Sequence, residues 1–158
     1  MEYEELTHKI IGCAYKVYKK LGFGFLESVY RKAMVIELTR AALKVEEEKH
    51  LEVHYDEGEV LGVFSADLFV ENIVVVELKS VQHVVKDHEV QLVNYLKALI
   101  KDIGLLINFG PTGVEVKRKY RLFEKKQEWF SPSGELCFFI SFREMKKKKH
   151  QVNLVNPV

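Results

Sequence analysis

Two neighbouring apolar runs constrain this chain more than any other stretch. They are Val63-Phe64-Ser65-Ala66-Asp67-Leu68-Phe69-Val70 and Ile73-Val74-Val75-Val76-Glu77-Leu78-Lys79. Both fit adjoining strands, yet each carries charge where burial makes charge expensive unless it is paired or holds a metal. Asp67, Glu77 and Lys79 therefore point to a site. Glu77 and Lys79 are two apart on one strand, so their side chains leave the same face. A loop of only Glu71-Asn72 would set Asp67 opposite Val76 and turn it away from Glu77. A three-residue loop, or a bulge, would set Asp67 opposite Glu77 and gather all three groups. A functional reading requires that odd register.

The residue types suit attack on a phosphodiester. Hard divalent cations take carboxylate oxygens and keep several waters. Asp67 and Glu77 would supply two oxygens, and the backbone carbonyl of Leu78 a third. A bound cation lowers the pKa of its water and offsets charge on the phosphate. Lys79 would orient that water or hold the charge that develops at phosphorus. An ion pair of Lys79 with Glu77 or Asp67 at a sheet end accounts for the same residues without any chemistry.

Further along, His88, Gln91 and Tyr95 are spaced three and four apart and share a helix face. Gln91 would bond a metal water or a phosphate oxygen, with Tyr95 behind it. Capping of buried backbone by Gln91 and a core place for Tyr95 are the alternatives. Glu27 falls in the first turn of a predicted helix, where the helix dipole alone favours an acid. It is equally placed to be a further metal ligand.

Around these residues the pattern predicts an α/β domain. Ile10, Ile11, Ala14, Val17, Tyr18 and Leu21 recur at helical spacing and predict a helix over 3–20, broken by Gly22 and Gly24. A second helix is expected from Leu26 to Ala42 with Val29, Ala33 and Ile36 toward the core. Strands follow at 44–55, 59–70 and 73–79, with a turn at Asp56-Glu57-Gly58. A third helix over 86–101 has apolar residues around much of its circumference and should be well buried. Strands at 103–108 and 114–120, the last edge-like, flank a turn at Gly110-Pro111-Thr112-Gly113. Three consecutive strands favour an antiparallel meander, and the helix after them a crossover into a parallel neighbour. The expected result is a mixed sheet flanked by helices.

Beyond residue 122 the pattern weakens. Residues 1–122 are expected to form the domain, and 123–158 a basic, partly disordered extension. Ser131-Pro132-Ser133-Gly134 reads as a loop. Leu136-Cys137-Phe138-Phe139-Ile140-Ser141-Phe142 is expected to pair as a strand or lie on the domain surface. Lys146 to Val158 read as a flexible end. Charge divides along the same line: residues 1–116 carry a net −6 and residues 117–158 a net +7. Basic segments contact nucleic acid and are also often simply solvated ends. Lys117, Arg118 and Lys119 are the candidate contacts. Lys16, Lys19 and Lys20 read as a solvated helix face.

Other chemistries find no support. No apolar run reaches the length of a membrane span, and Met1-Glu2-Tyr3-Glu4-Glu5 is too acidic for a secretory signal. Cys13 and Cys137 form neither a metal spacing nor a disulfide framework, which fits a reducing cytoplasm. The histidines show no zinc spacing, and there is no Walker or dinucleotide glycine pattern.

Gly24-Phe25-Leu26-Glu27-Ser28-Val29-Tyr30 resembles the signature of the GxxExxY proteins, a branch of the PD-(D/E)xK nuclease superfamily. The resemblance runs through Ala66-Asp67-Leu68, Val76-Glu77-Leu78-Lys79 and His88-Glu89-Val90-Gln91-Leu92-Val93-Asn94-Tyr95-Leu96. It ends at Leu105-Leu106-Ile107-Asn108-Phe109-Gly110 and covers roughly residues 5–120. It implies a restriction-endonuclease-like fold, with Asp67, Glu77 and Lys79 as the catalytic trio and Glu27 as the extra helical acid. Gln91 with Tyr95 matches the motif of RecB-like nucleases. The expectation is a Mg²⁺- or Mn²⁺-dependent nuclease acting on DNA rather than RNA, alone, as a homodimer or with a partner protein. A non-catalytic nucleic-acid-binding or protein-interaction module on the same fold is the alternative.

Overall fold

The computed structural model describes residues 2–55, 59–121, 125–130 and 136–141. The expected turn at 56–58, the loop at 131–134 and the end from 146 lie outside the described residues. The chain divides into two compact units, residues 1–121 and 122–158.

In the first unit, helix α1 (Glu2–Leu21) buries Ile10, Cys13, Ala14 and Val17 along one stripe. It stops at Gly22, whose φ of 69° lets its amide close on Tyr18 O at 2.8 Å, a left-handed end that glycine adopts at little cost. Of the lysines on this helix, Lys20 pairs with Glu37 at 2.6 Å, while Lys16 and Lys19 are exposed.

Helix α2 (Glu27–Arg40) turns a different face inward from the one its sequence suggests. Tyr30, Met34 and Leu38 are fully buried, whereas Val29 and Ile36 are exposed and Ala33 is only half-buried. The reason is packing: the Tyr30 ring stacks on Phe109 at 4.3 Å between centroids. Residues spaced four apart follow Tyr30 into the core, so the larger side chains win the inward stripe.

The sheet has the order β1-β2-β3-β4-β5, from β1 (Val45–Tyr55), β2 (Glu59–Val70), β3 (Val74–Lys79), β4 (Ile103–Gly110) and β5 (Gly113–Tyr120). The first three strands form an antiparallel meander, β3 and β4 are parallel, and β5 is an antiparallel edge. Every position of β4 is buried, as expected for a strand covered on both faces. On one face Ile10, Val17, Tyr30, Met34 and Leu38 of the helices meet Leu68, Val76, Leu78, Leu105, Ile107 and Phe109 of the sheet. On the other, Phe69, Val75 and Leu106 meet Leu92, Tyr95 and Leu96 of α3 (Lys86–Ala98).

The third helix is shorter and less covered than its composition suggests. It ends at Ala98; Ile100 lies beyond it, 72% exposed, and Val90 is 48% exposed. One sheet face covers only one stripe of a helix, and here that stripe is Leu92, Tyr95 and Leu96. None of the described helices is long and apolar enough to cross a membrane.

The second unit contains β6 (Lys125–Phe130) paired antiparallel with β7 (Leu136–Ser141), a sheet of its own. The apolar 136–141 stretch is thus a paired strand.

Candidate active site

The β2–β3 pairing decides whether a site exists. Val70 pairs with Val74, Phe69 with Val75 and Leu68 with Val76. Glu71, Asn72 and Ile73 therefore form a three-residue loop, with Glu71 and Asn72 at φ of 54° and 56°. This is the odd register, and its continuation sets Asp67 against Glu77. Asp67 Oδ2 accepts the backbone N–H of Leu78 at 2.8 Å, which fixes the carboxylate beside β3.

Glu77 and Lys79 leave β3 on the face shared with Val75, toward α3. They lie at the carboxyl end of the strand, where open α/β sheets gather their functional groups. Lys79 Nζ donates to Glu77 Oε1 at 2.8 Å and lies 3.9 Å from Glu27 Oε2. Glu27 reaches this point because the preceding loop is pinned. The Tyr30 hydroxyl donates to Gly22 O at 2.7 Å, and Ser80 Oγ donates to Phe25 O at 2.8 Å. On the far side of β3, Asn108 is buried opposite Lys79. Its side chain accepts from Val81 N at 2.9 Å and donates to Val81 O at 3.0 Å, clamping the chain just after the lysine.

Electrostatics follow from this crowding. Glu77 is 3% exposed, and burial, then the nearby Asp67 charge, push its pKa up to about 7 despite the Lys79 hydrogen bond. Burial works against the charge on Lys79, but the Glu77 hydrogen bond and the charges of Glu77, Glu27 and Asp67 outweigh it and raise its pKa. Tyr95 feels the same charges, and burial is the main reason its hydroxyl is held above the ordinary value. Gln91 Nε2 donates to that hydroxyl at 2.7 Å. Beside Gln91 and Tyr95 opens a groove of about 820 Å³ whose walls include Val53, Phe64, Val90 and Asn94.

The remaining candidates are placed differently. His88 turns back to its own helix start, its Nδ1 accepting from Val85 N at 3.4 Å. Lys117 and Lys119 both reach Glu89 of α3, while Arg118, on the opposite face of β5, donates to Thr7 Oγ1 at 2.8 Å. The three basic residues of β5 are therefore not one patch.

Arg31, not anticipated from the sequence, donates to Asp67 Oδ1 at 3.2 Å. It sits one turn after Glu27, the i,i+4 spacing that puts two residues on one helix face, and that spacing is the signal that could have found it. Asn108 carried the same signal as Asp67, a polar residue inside an apolar strand.

Among the described residues no three His, Cys, Asp or Glu side chains form a ready-made metal cluster. A Mg²⁺-type ion does not need one, since it binds through one or two carboxylates and keeps its waters. The donor set fits such an ion on one observation: Glu77 Oε2 is buried with no hydrogen-bond partner. An orphaned carboxylate oxygen costs stability unless something positive reaches it.

Comparison with known proteins gives a family and a fold. The model of the PD-(D/E)XK nuclease superfamily matches residues 4–119. The solved structure "Crystal structure of SSO0001" superposes with a TM-score of 0.50 at 17% identity, over 61% of this chain and 50% of that one. The chain thus spans about half the length of that structure, and the likeness is one of fold. No curated protein matches the chain.

Proposed function

The chain belongs to the PD-(D/E)XK nuclease superfamily, and on that premise we propose that it hydrolyses phosphodiester bonds of nucleic acid with Mg²⁺ or Mn²⁺. The observation that carries the reading is the buried, unpartnered Glu77 Oε2 between Asp67 and Lys79. Asp67 and Glu77 would hold the cation, with the Leu78 carbonyl and Glu27 as further ligands. When bound, the cation supplies a water of lowered pKa and offsets charge on the phosphate.

The chain's own residues do the rest. Lys79 keeps its proton, because three carboxylates surround it, and so it is a fixed positive donor for a phosphate oxygen. Glu77 and Glu27 hold Lys79 in place from two elements. Gln91, tethered to Tyr95, offers an amide for a water or a phosphate oxygen. Phe64 and Val53 in the adjoining groove present an apolar wall that suits the face of a nucleobase. Lys117, Arg118 and Lys119 are proposed backbone contacts, Lys117 and Lys119 after exchange of Glu89 for phosphate.

DNA rather than RNA, in the cytoplasm, is the substrate we propose, with a homodimer or a partner protein supplying contacts that an acidic domain lacks. We also propose that the chain falls in the GxxExxY branch. Gly24 at φ of 115° and the Tyr30 hydroxyl on Gly22 O support this, since both serve to position Glu27.

The test is cleavage of labelled single- and double-stranded DNA and RNA in Mg²⁺ and Mn²⁺, with an EDTA control. The expected result is metal-dependent cleavage by wild type, lost in Glu77→Ala. No cleavage of any substrate by wild type, or equal cleavage by the variant, would refute the proposal.

A further inference from the structure

The carboxylate proposed to receive the divalent cation already holds a cation of the protein's own. Arg31 Nη1 is 3.2 Å from Asp67 Oδ1, Nη2 is 3.0 Å from Glu48 Oε1, and Nε is 4.0 Å from Glu47 Oε2. The side chains of Arg31 and Asp67 are 20% and 16% exposed, so their contact is partly shielded from solvent, while Glu48 and Glu47 lie nearer the surface.

Two irregularities meet at the same point. The β1–β2 ladder has rungs at Glu47–Leu68 and Lys49–Ala66 but none between Glu48 and Asp67. Glu48 also has a φ of 48°, a left-handed backbone that is costly for a residue with a side chain. Such strain persists only where surrounding structure enforces it, and it clusters at functional places. Here it lies across the strand pair from Asp67 and accompanies the contact of Glu48 with Arg31. In addition, Arg31 Nε is buried without a hydrogen-bond partner. The Glu47 carboxylate lies 4.0 Å from it, beyond hydrogen-bonding range.

We infer that Arg31 is a resident counter-cation that competes with the divalent cation for Asp67 and passes to Glu47 and Glu48 when that cation binds. The inference rests on the metal-dependent reading above. A carboxylate oxygen cannot serve a guanidinium and a divalent cation at full strength together. A small swing toward β1 satisfies both needs, because it frees Asp67 and gives Nε the partner it lacks. Arg31 thus acts through Asp67 as a positioning residue, holding the acidic site together while it is metal-free and lowering its affinity for metal.

Calorimetric titration of Mn²⁺ into wild type, Arg31→Met, Arg31→Lys and Glu48→Gln tests this without reference to cleavage. Arg31→Met should bind Mn²⁺ about threefold to tenfold more tightly, the size expected for a partly exposed ion pair, and its metal-free form should melt at a lower temperature. Arg31→Lys should return both values toward wild type. Glu48→Gln should weaken Mn²⁺ binding, because Arg31 loses its receiving carboxylate. Unchanged or weaker binding by Arg31→Met with native circular dichroism overturns the inference, while binding by wild type upholds the metal reading. Should Arg31→Met not fold, Glu48→Gln decides, and unchanged Mn²⁺ affinity in that variant overturns the handover. Absence of Mn²⁺ binding by wild type overturns both.

Discussion

Replacing Glu77 with glutamine should stabilise the metal-free protein above neutral pH and leave it unchanged in mild acid. In the folded protein burial and the Asp67 charge hold the Glu77 proton until about pH 7, against a reference value of 4.5. Between those values the folded state binds more protons than the unfolded state. The contribution is therefore fully present below the unfolded value and is lost as pH rises through the folded one. At 1.36 kcal/mol per pKa unit, ionising Glu77 in place costs about 3 kcal/mol at pH 8. Glutamine removes that cost, which already includes the opposing attraction of Lys79, so a net gain of up to about 3 kcal/mol is expected. The assay is urea unfolding in EDTA at pH 5 and pH 8, reported as the difference between variant and wild type so that other titrating groups cancel. A divalent cation should erase the pH dependence of the wild type by stabilising the ionised form. An identical pH dependence in wild type and Glu77→Gln would rule out a raised Glu77 pKa in the folded protein.

Two further outcomes follow from contacts around the site. Asn108→Ala removes both side-chain bonds to Val81 and should cost about 1–3 kcal/mol in chemical denaturation; an unchanged midpoint would show that the clamp is not needed. Glu89→Gln releases Lys117 and Lys119, so DNA binding should tighten and its salt dependence should steepen, by close to one unit of slope per added phosphate contact. An unaltered salt slope would remove both lysines from the proposed interface.

The sequence revealed the strands and their order more fully than it revealed how side chains meet. Apolar runs located β3, β4 and the end of β2 because burial on both faces demands such composition. The spacing of Glu77 and Lys79 followed directly. The register could only be posed as a choice, because neither Glu71 nor Asn72 is a glycine announcing the left-handed loop that the chain forms. The α2 face is ambiguous in sequence because Val29 and Ile36 recur at helical spacing, as do Tyr30, Met34 and Leu38. Only the distant Phe109, which stacks on Tyr30, chooses between them. Local sequence groups Lys117, Arg118 and Lys119 as candidate contacts, whereas strand alternation sends Arg118 to α1 and its neighbours to α3. The role of Arg31 depends on an irregularity at Glu48 that leaves no compositional trace.

Whether the acids gathered around Lys79 form a metal-dependent phosphodiesterase site is decided by one side-by-side measurement. Wild type and Lys79→Met are compared for Mn²⁺ binding and for cleavage of labelled single- and double-stranded DNA. Both proteins should bind Mn²⁺, wild type should cleave, and Lys79→Met should lose about a hundredfold or more in rate, as when a positioned charge donor is removed. Equal cleavage by the two proteins, or Mn²⁺ binding with no cleavage by wild type on either substrate, would contradict such a site.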